Sequence, residues 1–185
     1  MDGLSIMKES KDSFGFKVIS EIMDPRDIDK SYDYIDIYQI GSRNMQNYTL
    51  LKEMGKTNKP ILLKRGMSAT IDEWIKASEY ISMEGNENII LCERGIRTFE
   101  NYTRNTLDLM SVPIIKSKTK YPIFVDPSHG TGRRELVLPA TKAALALGAN
   151  GVIIEIHPNP EKALSDGAQS LKFEEFELLL KEINQ

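Results

Sequence analysis

Six short apolar runs, each closed by charged or polar residues and each paired with a helical stretch, constrain this chain more than any other feature. The runs are KVISEIM (17–23), IDIYQIG (35–41), PILLKRG (60–66), NIILCERG (88–95), PIFVDPSH (122–129) and GVIIEIHP (151–158). They hold mainly Ile, Val, Leu and Phe without strict polar alternation, as a parallel strand buried on both faces reads. Helices are predicted over 3–14, 25–32, 45–55, 70–83, 102–110, 133–147 and 173–183. Thr70 followed three residues later by Glu73 resembles a capping box, and Gly55 and Gly148 stand where helices end.

Strand alternating with helix implies an α/β fold with a parallel sheet and crossover helices. An open doubly wound sheet and a (β/α)₈ barrel both satisfy the pattern. A full barrel takes about 250 residues, so 185 residues fall short by about two βα units. No linker or shift in composition marks a second domain, and residues 1–185 are expected to form one. Twenty-four Lys and Arg against 27 Asp and Glu lack the basic surplus of a nucleic-acid binder. No apolar run approaches the roughly 20 residues of a membrane span, and MDGLSIMKESKDSFGF is not a secretory signal. Cys92 is the only cysteine; it excludes an internal disulfide and fits a reducing cytoplasm.

Function is read from the strand ends. They carry Glu21 and Asp24, Gln39 and Arg43, Lys64 and Arg65, Glu93 and Arg94, Asp126 and His129, and Glu155 and His157. In parallel α/β folds the C-terminal strand ends gather where active sites sit, and charge is costly to bury there unless paired or bound. Arg43, Lys64 and Arg94 suit a phosphate or carboxylate. His129, Glu155 and Asp166 make a mixed nitrogen and oxygen set that Mn²⁺, Fe²⁺ or Zn²⁺ accepts, with positions left open for water or substrate. An anion clamp beside a divalent cation suggests chemistry on a phosphorylated carbonyl compound.

Each signal has a plainer reading. The three cations could pair with Glu21, Glu93 and Asp126 in a structural network. His129 and His157 read equally as hydrogen-bonded loop histidines, and Asp166 as a turn residue before Gly167. Gly130-Thr131-Gly132 before Arg133 resembles a phosphate-cradling loop at a helix start, a weak signal. Cys92, among Ile and Leu, reads as a buried small hydrophobe.

The segments QIGSRNMQN (39–47), ILLKRGMSAT (61–70), ILCERGIRTFE (90–100), VDPSHGTGRRELV (125–137) and IIEIHPNPEKALSDGAQSL (153–171) closely resemble the type I beta class of 3-deoxy-arabino-heptulosonate 7-phosphate (DAHP) synthases. The likeness runs from about Gly3 to the C-terminus. It implies a (β/α)₈ TIM barrel of which about six units are retained, acting at the entry to the shikimate pathway toward chorismate and the aromatic amino acids, usually as a homotetramer. By that resemblance Arg43, Lys64 and Arg94 hold phosphoenolpyruvate, with Glu21 nearby, and Lys64 is also a candidate proton donor. His129, Glu155 and Asp166 match three metal ligands, His129 counting also among the catalytic residues.

The implied reaction, a transferase step, joins carbon-3 of phosphoenolpyruvate to the aldehyde of erythrose 4-phosphate; water adds at carbon-2 and phosphate leaves. The family's fourth metal ligand, a cysteine in an Ala-Gly-Pro-Cys motif of the first strand, is not in this sequence, and Cys92 stands on another strand. The Lys-Pro-Arg-Thr motif of the second strand is likewise missing. The runs at 17–23 and 151–158 are therefore expected to be open edges that invite pairing with another chain, whether a homo-oligomer or a separate complementing N-terminal chain. Two other readings stand beside this one. One is a remnant or regulator that binds phosphoenolpyruvate or metal without turnover; the other is 3-deoxy-octulosonate 8-phosphate synthase, which uses arabinose 5-phosphate.

Overall fold

The computed structural model describes residues 3–184 and falls into two compact units, one up to Leu91 and one from Cys92 onward. In the first, α1 (Gly3–Phe14) precedes β1 (Ile19–Glu21), and a 3₁₀ turn (Pro25–Asp27) leads into α2 (Ile28–Ser31). Then follow β2 (Ile37–Ile40), a 3₁₀ turn (Ser42–Asn44), α3 (Tyr48–Gly55), β3 (Ile61–Lys64) and α4 (Ile71–Ser82), with β4 (Ile89–Glu93) at the boundary. In the second lie α5 (Ser111–Lys118), β5 (Ile123–Val125), α6 (Pro127–Thr131), α7 (Arg134–Ala146), β6 (Gly151–Val152) and α8 (Phe173–Ile183). Strands are hydrogen-bonded in chain order, β1 to β6, and the α/β reading with six strands holds.

The first unit shows why the apolar runs became strands. Ile19 pairs with Ile37 and Glu21 with Gln39, while Tyr38 pairs with Ile61 and Ile40 with Leu63, all in parallel register. β3 is buried along its whole length, as a run without polar alternation requires. Leu50, Leu51 and Met54 of α3 and Trp74, Ala77 and Ile81 of α4 close over this core. A Cβ on Gly55 would lie 2.4 Å from the Ile81 carbonyl oxygen, so only glycine lets the two helices approach this closely. The Trp74 indole donates to the Leu63 carbonyl at 3.2 Å, which satisfies the polar atom this large side chain brings inside. The capping box read from Thr70 and Glu73 is present.

In the second unit, Val137, Leu171 and Leu179 form an apolar cluster with Leu138, Ile154, Phe176 and Ile183 against it. Here two expectations fail. Residues 102–110 are not a helix: the backbone N–H groups of Arg104 and Asn105 donate to Thr131 and Gly130 carbonyls at 2.9 and 3.1 Å, and Ile96 bridges Thr106. The Thr106 N–H, which a helix over this span would direct to the Tyr102 carbonyl, donates instead to the Ile96 carbonyl at 2.9 Å. The helix starts later, at Ser111, with Val112 and Ile115 buried. Pro113 falls in its first turn, where a missing N–H costs nothing. Nor is Gly130-Thr131-Gly132 a phosphate-cradling loop: Gly130 and Thr131 end α6, and Gly132 turns left-handed (φ 67°) before α7.

Candidate metal centre and anion-binding residues

The candidate residues stand at or beyond strand ends, except Asp166, which lies in the loop between β6 and α8. In the first unit Glu21 closes β1 and Lys64 closes β3, while Arg43 lies in the 3₁₀ turn after β2. Lys64 is 7% exposed although Ile and Leu fill the rest of its strand; Glu21 and Arg43 are exposed. A Cβ on Gly41 would fall 2.1 Å from the Glu21 carboxylate, so the glycine leaves room for that carboxylate to lie across the end of β2. Arg65 turns inward instead, its Nε donating to the Ala69 carbonyl at 2.9 Å.

Arg94 follows β4 and is buried. Burial pushes its guanidinium pKa below the ordinary value, against the opposite pull of Asp126 and Glu93. The Glu93 carboxylate accepts from the Gly95 N–H at 2.6 Å. Gly95 has φ 89°, and a Cβ there would meet Asn105 Cβ at 2.6 Å; both observations require glycine.

The centre of the second unit is built around His129. Asp126 directly follows β5, caps α6 and is fully buried. It accepts from the His129 N–H at 2.9 Å and lies 2.8 Å from Nδ1. Holding Nδ1 in this way fixes the ring and aims Nε2 away from Asp126. Nε2 faces a Glu155 carboxylate oxygen at 3.3 Å. Glu155 is placed by its own N–H, which donates to Ser128 Oγ at 3.0 Å, and by Leu171, whose N–H donates to the Glu155 carbonyl at 2.9 Å. Asp166 occupies a left-handed backbone conformation (φ 56°). Aspartate tolerates that region better than most residues, and such outliers cluster at functional sites. Asp166 thus occupies the turn expected before Gly167, and the turn presents its carboxylate.

His129, Glu155 and Asp166 each offer one ligand atom, and these atoms lie within 4.8 Å of one another. The nitrogen and carboxylate donors suit a divalent cation in kind, and the His129–Glu155 pair suits one in spacing. Two ligands on one ion at about 2.1 Å stand roughly 3.0–3.4 Å apart, and the Nε2 to Glu155 distance is 3.3 Å. An Nε2 lone pair facing a carboxylate at that distance repels it unless a proton or a cation lies between. The plain loop-histidine reading suits His157 instead, whose Nδ1 accepts from the Asn159 N–H at 2.9 Å. Cys92 is fully buried in β4. Sequence reasoning gave no site role to Asp126, Arg104 or Gln169. For Asp126 a signal existed: an aspartate before Pro127, three residues ahead of a histidine, is an N-cap pattern.

A family model described as the DAHP synthetase I family matches residues 1–185. The chain is 54% identical over 183 residues to the phospho-2-dehydro-3-deoxyheptonate aldolase of Thermotoga maritima, a match covering 99% of this chain and 54% of the relative. It therefore spans about half the length of that relative. Against a 2-dehydro-3-deoxyphosphooctonate aldolase of Geobacter sulfurreducens the identity is 33% over 193 residues, covering 98% of this chain and 70% of the relative. In structure the chain is similar to a truncated form of 3-deoxy-D-arabino-heptulosonate 7-phosphate synthase from Thermotoga maritima. That match has a TM-score of 0.96 at 54% identity, over 98% of this chain and 70% of the other.

Proposed function

The chain belongs to the DAHP synthetase I family, and from that premise we propose that it serves the condensation of phosphoenolpyruvate with erythrose 4-phosphate to DAHP and phosphate. The observation that carries this reading is the Asp126–His129–Glu155 arrangement with Asp166, a set of donors able to hold a metal ion beyond β5 and β6. By the family resemblance Arg43, Lys64 and Arg94 are assigned to the phosphate and carboxylate of phosphoenolpyruvate, and Glu21 to the same substrate. Burial strengthens the attraction Lys64 and Arg94 exert on an anion, because the surrounding dielectric is low. A divalent cation, when bound, supplies Lewis acidity toward the aldehyde or lowers the pKa of a water.

The chain's own groups do the rest. The cations fix phosphoenolpyruvate so that carbon-3 meets the aldehyde carbon, an orientation effect. Lys64 Nζ gives a proton to the aldehyde oxygen, which becomes a hydroxyl as the carbon–carbon bond forms. Water adds at carbon-2 and one of its protons restores Lys64; the other leaves with the phosphate as the carbon–oxygen bond breaks and the ketone forms. Asp126 keeps His129 Nε2 on the reacting side throughout. Mn²⁺, Fe²⁺ and Zn²⁺ all suit the donor set. The reaction belongs to the cytoplasm, with either further copies of this chain or a separate complementing chain as partner.

The test is phosphoenolpyruvate consumption by the purified chain with Mn²⁺ and erythrose 4-phosphate, with arabinose 5-phosphate as the competing aldehyde. It is repeated with a second polypeptide covering the part of the Thermotoga relative outside the matched span. Turnover with erythrose 4-phosphate that Lys64→Ala abolishes supports the reading. Preference for arabinose 5-phosphate moves the chain to the octulosonate activity. Phosphoenolpyruvate binding without turnover in either arm makes it a regulator or remnant.

A further inference from the structure

Behind the metal-binding constellation lies a side-chain bridge that joins its two carboxylates. Gln169 is 2% exposed, and both ends of its amide are committed. Its Nε2 donates to Glu155 Oε2 at 2.5 Å, and its Oε1 accepts from Arg104 Nη1 at 2.8 Å. The partners themselves settle the amide's orientation: an ionised carboxylate only accepts and a guanidinium only donates. The same Nη1 donates to Asp166 Oδ1 at 2.6 Å. Glu155, Gln169, Arg104 and Asp166 thus form a continuous path from one carboxylate to the other.

We propose that Gln169, with Arg104 behind it, is a positioning residue that holds Glu155 and Asp166 at the spacing a divalent cation requires; the inference rests on the metal reading of this centre. By holding Oε2, Gln169 leaves the other Glu155 oxygen to face His129 Nε2. Being neutral, it acts through geometry and not through charge. Its backbone N–H also donates to the Asp166 carbonyl at 3.2 Å, so it tightens the turn in which Asp166 sits left-handed. Arg104 reaches this place across Gly132, where a Cβ would lie 2.4 Å from its own Cβ. Its side chain and that of Asp166 are partly exposed, 40% and 31%. Without the bridge the two carboxylates repel each other and turn apart, and the cation must reassemble them.

The experiment titrates Mn²⁺ alone into the full chain and follows free Mn²⁺ by electron paramagnetic resonance. The chains compared are wild type, Gln169→Leu, Arg104→Met and the double variant, with His129→Gln as the control that removes a ligand. Loss of an outer partner weakens metal binding about 10–100-fold, and each single variant is expected in that range. The double variant should be no weaker than the worse single one, because breaking either link opens the same bridge. The visible band of the Co²⁺ complex should change in Gln169→Leu, which a general loss of stability would not produce. Wild-type affinity in Gln169→Leu, or additive losses in the double variant, overturns the proposal. Tighter Mn²⁺ binding in Arg104→Met does so as well, since Arg104 would then act only as a competing charge. Should Gln169→Leu fail to fold, Arg104→Met decides by its sign. A wild-type chain that takes up no Mn²⁺ overturns the metal reading itself, a result distinct from wild-type binding with unaffected variants.

Discussion

Asp126 holds the Nδ1 side of His129 across 2.8 Å, and the orientation of Nε2 toward Glu155 depends on that contact. An Asp126→Asn substitution keeps a capping oxygen for the His129 N–H but replaces the charged partner by a neutral amide. Mn²⁺ affinity should fall about 10–100-fold, checked by metal titration on the folded variant. Unchanged affinity would mean that His129 is oriented by other contacts. The three proposed ligands were legible in the sequence only through long motifs, because one histidine and two acids carry no signal by themselves. Gln169 and Arg104 were not legible at all. They lie 65 positions apart, and Arg104 sits in a segment whose local pattern suggested a helix.

Among the elements, those whose own pattern decides their structure were read closely. α1 and α8 occupy the predicted spans, and α4 starts at its capping box. The strands are shorter than their apolar runs: only Gly151 and Val152 of 151–158 form β6. Beyond them Glu155 bonds to Ser128 Oγ, a side chain from another segment that no periodicity encodes. α1 shows another limit, since none of its described residues is buried. It is tied down by Lys11, whose ammonium donates to Asp36 at 2.7 Å. Burial raises the Asp36 pKa, the largest single influence, but Lys11, the Val18 N–H and Lys17 together hold it below its ordinary value. A folded value lowered from about 3.9 means that the stabilisation is fully present above about pH 4 and is lost as pH falls through the folded value. Hydrogen exchange should therefore show α1 opening first on acidification, and Asp36→Asn should produce the same opening at neutral pH. The pair contributes no more than about 1 kcal/mol, so the urea midpoint of the whole chain should scarcely move. Protection in α1 that ignores both changes would place its anchorage elsewhere.

At the scale of the molecule, the strand order leaves β1 and β6 each with one strand neighbour. Exposed apolar side chains flank β1 beside the charges of Lys17 and Glu21: Phe14 and Phe16 stack with ring centroids 5.9 Å apart, and both are exposed with Ile19 and Met23. A strand edge with exposed hydrophobic side chains is a template for pairing with another chain, and charged residues on an edge are what suppresses such pairing. This edge is where the expectation of association read from the apolar runs can be tested. Sedimentation across a range of concentrations should show a mass that rises above the monomer. Ile19→Lys, which places a charge on the edge while leaving the buried Val18 and Ile22 untouched, should shift the chain toward monomer with little loss of stability. A polypeptide covering the unmatched part of the Thermotoga relative should suppress the rise in wild type if it occupies the same edge. A chain that sediments as a monomer throughout, with Ile19→Lys indistinguishable from it, would remove the homo-oligomer and leave the separate complementing chain as the partner to seek.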